Sequence, residues 1–265
     1  MRRTVSTRLD LAIGDPAEIA LQIAAAAGER VDELLEIRLD GVPVTWQEVE
    51  GAHGGRAHLV HAGRGQLSVS YEATVIGRAA PPTCTDDERL VYLRPSRYAE
   101  SDRLGEVGRR QFGSLTEAAE ILGAVSSWVG WELVYQAGSS LPTHGAVDTL
   151  LGGRGVCRDF AHLVVALLRA RDVPARVAAV YAPGLQPMDF HAVAEALVDG
   201  TWRVVDATLL APRSSLVRIA TGRDAADTAF LTVIGGTVDL VGLEVSAVVE
   251  GNLPTDDPRE LVSLG

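Results

Sequence analysis

The chain has 265 residues, 47% of them hydrophobic, enough for one large domain or two modest ones around a substantial core. Its formal charge of −11 at pH 7, with no arginine-rich face or aromatic-interleaved basic stripe, argues against nucleic acid as a partner. No stretch approaches the length of a membrane span, no apolar run follows Arg2, Arg3 and Arg8 as in a secretory signal, and two cysteines make no disulfide framework; a reduced, cytoplasmic location is expected.

Taken in chain order, the first eighty residues read as β-rich. Ile19 to Ala27 is compatible with helix or strand. Leu34 to Leu39 and Val42 to Val49 are strand candidates parted by Asp40-Gly41, and Leu67 to Val75 alternates as a strand does. Pro81-Pro82-Thr83 then punctuates the chain, so residues 1–80 and 81–265 are expected to form separate domains. Ser114 to Tyr135 carries apolar residues at helical spacing, with Ser114 and Glu117 placed for a capping box. Ala146 to Leu151 reads as a short helix. After Cys157, the stripe Phe160, Leu163, Val164, Leu167 and Leu168 predicts a helix ending before Pro174. Strands are expected over 175–181, 191–198, 201–206, 229–234 and 238–249. Helices gathered ahead of an antiparallel sheet indicate an α+β domain.

Chemistry concentrates at three places. Cys157 stands in the first turn of its helix, behind Gly152, Gly153 and Gly155. A thiolate there is favoured by the helix dipole and by free backbone N–H groups, and those groups can also hold an oxyanion. A lone cysteine on an apolar helix face is nevertheless ordinarily a structural residue. The weight shifts further along the chain. Asp199-Gly200 between two strand-like runs predicts a type I′ hairpin, which sets Val198 opposite Thr201 and Val193 opposite Asp206. His191 then shares a face with Asp206 as its diagonal neighbour, about 7–8 Å away at Cα and within hydrogen-bonding reach of the side chains. A slip of one residue would put them on opposite faces. Singly, each residue is better read as structural; together they point to a thiol nucleophile with a base and an orienter.

The segments Gly153 to Leu163, Met188-Asp189-Phe190-His191-Ala192 and Trp202-Arg203-Val204-Val205-Asp206-Ala207-Thr208 resemble the three motifs of the transglutaminase-like superfamily. The likeness is greatest to its bacterial cysteine-protease branch. The resemblance implies a papain-like core, helices packed on an antiparallel sheet, preceded by an N-terminal β-sandwich. It implies Cys157 as nucleophile, His191 as general base and then acid, and Asp206 as orienter. Relatives commonly carry an aromatic residue after His-Ala, where this chain has Val193, which bears on the wall of the site.

The activity expected is thiol-dependent: amide hydrolysis or acyl transfer on a peptide or protein substrate, through a thioester. A catalytically silent scaffold that binds peptides or a partner protein is the alternative. Acyl transfer to small amines, as in arylamine acetyltransferases, ranks third because nothing resembles a coenzyme A site. No cofactor or metal is called for. His53, His58 and His61 invite a metal reading, but His58 and His61 would face opposite sides of a strand. No phosphate loop or G-x-S-x-G elbow occurs. Trp128 and Trp131 are expected in core packing, Asp159 and His162 at the surface by default or else in contacts that support the site residues, and Asp189 either in a turn or facing substrate.

Overall fold

A computed structural model describes residues 1–26, 30–81 and 83–264. Strand β1 (Arg2–Asp15) buries its odd-numbered residues from Arg3 to Ile13, among them Val5, Leu9 and Leu11, while its even-numbered residues face outward. Two further strands follow, β2 (Ala17–Leu21) and β3 (Arg30–Leu39). Then come β4 (Val42–Pro43), β5 (Gln47–Glu50), β6 (Arg56–Ala62) and β7 (Gly65–Ile76). The alternation in β7 is that of β1, and the pairing Leu9↔Val69 and Leu11↔Leu67 sets both apolar faces to one side.

The ambiguous segment at Ile19 is strand as far as Leu21; Ala27, at its predicted end, lies outside the described residues. The strand expected over Val42 to Val49 is instead two short ones in different sheets. Asp40 and Gly41 turn the chain with positive φ, β4 pairs back on β3, and the chain crosses to pair β5 with β6. Pro43 lacks the N–H that a continuing strand would need.

The helical part holds α1 (Asp86–Val91), α2 (Gly105–Phe112), α3 (Ala118–Glu132), α4 (Ala146–Gly152) and α5 (Cys157–Arg169). Short strands β8 (Val134–Tyr135) and β9 (Arg154–Gly155) pair in parallel. A second sheet follows from β10 (Ala175–Tyr181), β11 (Phe190–Val198), β12 (Thr201–Val205) and β13 (Val217–Gly222), in the antiparallel order β12-β11-β10-β13. Helix α5 lies on this sheet. Its Phe160, Leu163, Val164 and Leu167 join Val177, Ala194, Ala196 and Val198 in one buried cluster. The alanines of β11 let the helix approach closely. This is the α+β arrangement expected, with a strand-rich N-terminal region ahead of it.

The Ser114–Glu117 capping box does not form. The Leu115 N–H bonds to the Phe112 carbonyl, so residues 113–116 close α2 instead of opening α3, which starts at Ala118. A capping box is found at Thr85 and Glu88, on α1. Of the two tryptophans, Trp128 packs against Phe112, but Trp131 is 90% exposed.

The last strands, β14 (Leu231–Ile234) and β15 (Thr237–Val249), leave the β12-β11-β10-β13 sheet. β15 pairs with β1 and β14 with β2, so among the described residues the sandwich consists of sheets β15-β1-β7-β3-β4 and β14-β2-β6-β5. The sandwich thus draws strands from both ends of the chain, two of them from within the expected second domain, 81–265. Period-two alternation marks 231–249 as sheet but carries no information on which sheet.

A buried ionic cluster joins the two layers. Arg176 and Glu195 are direct cross-strand partners, bonded at 2.8 Å, and Arg218 grips the same carboxylate with two bonds of 2.8 Å. The Arg176 guanidinium also lies 3.9 Å from the centre of the Trp202 ring. From the sandwich side, the His53 ring comes within 3.1 Å of Arg176 and 2.9 Å of the Tyr92 hydroxyl. Burial first, and then the charge of Arg176, push His53 down to about 4, so at neutral pH it is uncharged and can accept from the guanidinium.

Candidate active site

Gly153, at φ 63°, ends α4 in the left-handed conformation. The chain then makes its two-residue parallel contact with Val134–Tyr135 and turns into α5 at Cys157. Gly155 is required there, because a Cβ on it would lie 2.6 Å from the Cβ of Asp159. Asp159 is 1% exposed, contrary to the expectation of a surface residue. Its carboxylate accepts from the Val156 N–H and from the Ser140 hydroxyl, each at 2.8 Å. It thus satisfies one of the donors that a helix start leaves free. Arg158 donates to the Ser140 hydroxyl at 2.7 Å and to the Leu141 carbonyl at 3.1 Å, tying the preceding loop to the helix mouth.

The hairpin has the predicted register: Val198 faces Thr201 and Ala194 faces Val205. Asp199 and Gly200 have φ of 49° and 72°, the two positive values a type I′ turn demands. His191 Nε2 and Asp206 Oδ2 are 2.7 Å apart, and the two residues are 2% and 3% exposed. Asp206 Oδ1 accepts from the Thr208 N–H at 2.9 Å and the Thr208 hydroxyl at 2.6 Å. Both carboxylate oxygens are therefore held, which fixes the plane of the group and through it the imidazole.

His191 Nδ1 is buried and has no hydrogen-bond partner of standard geometry, while Cys157 is near enough to act on the ring and favour its charged form. Burial opposes a charge on His191, but the Asp206 carboxylate, its hydrogen bond and Cys157 together hold the imidazole well above its ordinary range. Burial likewise penalises Asp206, and attraction to His191 with the bonds from His191 and Thr208 outweighs it, keeping Asp206 below the usual carboxylate range.

Several expectations change at this site. His162 is fully buried, not exposed: its ring stacks on Tyr98 at 5.4 Å, and its Nε2 accepts from the Ala225 N–H at 3.0 Å. Burial pushes His162 down to about 3, so it serves as a neutral acceptor. The Asp189 carboxylate accepts from the Phe190 N–H at 2.7 Å, and the residue lines the cavity beside Cys157. Val193 packs in an apolar cluster with Ala178, Val180 and Val204 and does not belong to that cavity. His58 points inward beside Glu48 while His61 faces solvent, as alternation requires.

Tyr135 was not singled out from the sequence. Its phenol lies beside the Cys157 backbone; burial and then the neighbouring Cys157 raise its proton affinity. The β8–β9 pairing creates this contact, and two-residue strands leave no periodic signal to read.

Residues 106–207, which contain Cys157, His191 and Asp206, match the transglutaminase-like superfamily. A Cytophaga hutchinsonii protein described as an inferred cysteine protease has a crystal structure with TM-score 0.88 and 31% identity, over 98% of this chain and 96% of that one. The chain belongs to the transglutaminase-like superfamily. An uncharacterised Mycobacterium leprae protein is 28% identical over 149 residues, 52% of this chain and 52% of that protein, so the chain spans about half the length of the curated relative it matches. Among the described residues of this transglutaminase-like chain, no helix is long and apolar enough to cross a membrane.

Proposed function

We propose that the protein is a thiol-dependent amide hydrolase or acyltransferase working through a thioester on Cys157, with His191 and Asp206 completing a triad. The observation that carries this reading is the 2.7 Å bond between buried His191 and Asp206 on a hairpin whose imidazole Cys157 influences directly. Membership of the superfamily, and the similarity to the Cytophaga protein, support a thiol-dependent hydrolase or acyltransferase in general.

In this account Cys157 has already given its proton to His191 Nδ1 in a thiolate–imidazolium pair, and the thiolate sulfur attacks the carbonyl carbon of an amide. The oxyanion forms beside the first-turn N–H groups of α5, which preorganised donors stabilise at low reorganisation cost. The imidazolium returns its proton to the departing amine as the carbon–nitrogen bond breaks, leaving the acyl group on sulfur. Asp206 holds the imidazole in orientation and stabilises its charged form. Water activated by His191 then yields a carboxylic acid and the free thiol; an amine in its place yields a new amide. The substrate is a peptide or protein, and the two unpaired cysteines accord with a cytoplasmic protein.

Incubation with a peptide mixture followed by rapid acid quench tests the proposal. A mass increase on the Cys157 peptide, absent in Cys157→Ala, is expected. Peptide binding that survives Cys157→Ala, with no adduct ever formed on the unaltered protein, would identify a binding scaffold instead.

A further inference from the structure

The thiol opens onto a cavity of about 340 Å³ that the chemistry above does not use. Its walls come from both layers of the molecule. Phe190 and Ile219 are contributed by the catalytic sheet, Leu231 by β14, Leu243 by β15, and Phe230 by the segment just before β14. The Phe190 and Phe230 rings pack 5.1 Å apart, and Phe190 also rests 5.6 Å from Tyr181, so the aromatic wall is held in place without a ligand. The strands that return to complete the sandwich thus also complete this cavity.

Apart from the Cys157 thiol and His191 Nδ1, which belong to the chemistry above, the polar groups around it are already occupied. The Gln22 amide donates to the Asp227 and Ala229 carbonyls at 3.3 and 3.2 Å. Arg158 donates to Ser140 and Leu141, and Asp189 accepts from the Phe190 N–H. Arg158 and Asp189 are opposite in sign and the His191 charge is met by Asp206, so the cavity carries no net charge that would select a charged group. What it offers a ligand is apolar surface, at the lower end of the volume range of small-ligand sites.

We infer that this cavity receives a bulky aliphatic or aromatic side chain next to the carbonyl attacked by Cys157, making the protein selective for acyl donors that are apolar at that position. The inference rests on Cys157 being the nucleophile proposed above. It gives the sandwich a role in specificity, through Leu231 and Leu243.

The test uses the full chain and a series of N-acyl amino-acid chloromethyl ketones. The Cys157 sulfur displaces chloride at the methylene carbon to form a thioether, read as a mass gain on the Cys157 peptide. Rates are compared with iodoacetamide, which bears no side chain. The Phe and Leu reagents are expected to react about ten- to a hundredfold faster than the Gly and Asp reagents, the factor that burial of one such side chain supplies. Ala229→Phe, which fills the cavity, is expected to bring the Leu-to-Gly ratio near one; the series on the unaltered protein stands alone if that variant does not fold. Labelling by iodoacetamide with a flat series, or one led by Asp, overturns the inference and leaves the nucleophile in place, as does a folded Ala229→Phe with undiminished Leu preference. Failure of every reagent at Cys157, iodoacetamide included, overturns both.

Discussion

The His191 imidazole and the Asp206 carboxylate meet at 2.7 Å across the hairpin turned by Asp199-Gly200, both almost wholly removed from solvent. At that burial neither charge is sustainable alone, and each holds the other ionised. The raised His191 contributes stability that is complete below its ordinary value and is lost as pH climbs through its elevated one. The depressed Asp206 contributes stability that is present above its ordinary value and is lost as pH falls below it. The pair therefore supports the fold and the ionised imidazole across neutral pH.

Asp206→Asn removes the charge while keeping the shape. An NMR titration of the His191 ring is expected to show its protonation shifted to lower pH than in the unaltered protein, with turnover of any amide substrate reduced by orders of magnitude. A ring that titrates at the same pH in both proteins would contradict the pairing.

Gly155→Ala places a methyl where Asp159 stands, 2.6 Å from its Cβ. Overpacking of this kind costs about 1–3 kcal/mol. Urea unfolding should register that loss, and slower labelling of Cys157 should accompany it because the displaced Asp159 can no longer hold the Val156 N–H.

How much of this was legible in the sequence follows from the range of each interaction. The hairpin could be read because a two-residue turn with Asp-Gly dictates register locally, and register alone sets His191 beside Asp206. The start of α5 was legible from its glycines and apolar stripe. The burial of Asp159 and His162 was not, since their partners Ser140 and Ala225 are remote in sequence and come close only through folding. The failure at Ser114 shows two competing uses of one turn, the end of α2 having taken the residues that a capping box on α3 needed. Strands β14 and β15 were recognisable as strands, but their partners, β2 and β1, lie more than two hundred residues earlier.

Glu195→Ala would leave Arg176 and Arg218 buried without their shared carboxylate. Burial disfavours the Glu195 charge, but the two arginines push it down to about 2, so its stabilisation is present above the ordinary carboxylate range and is lost as pH falls towards that value. Truncating one member of such a cluster typically costs about 3–5 kcal/mol, and chemical denaturation at pH 7 should show a loss of that size. A change within experimental error would mean the cluster is solvated or rearranges.

Asp159→Ala removes the acceptor for the Val156 N–H and the Ser140 hydroxyl together. A stability loss of about 0.5–2 kcal/mol is expected, in the range of lost helix caps. Hydrogen exchange should also accelerate at the first turn of α5 while the centre of the helix keeps its protection.

The most direct measurement compares the two cysteines of one molecule. Cys84 is pushed up by burial and then by Glu88, which slows its reaction at neutral pH. Cys157 sits at the start of α5 beside a charged imidazole. Brief exposure of the folded protein to iodoacetamide near pH 7, followed by peptide mass analysis, should modify Cys157 well before Cys84, with that early labelling lost in Cys157→Ala. Equal labelling of the two cysteines, or an unmodified Cys157, would contradict the account.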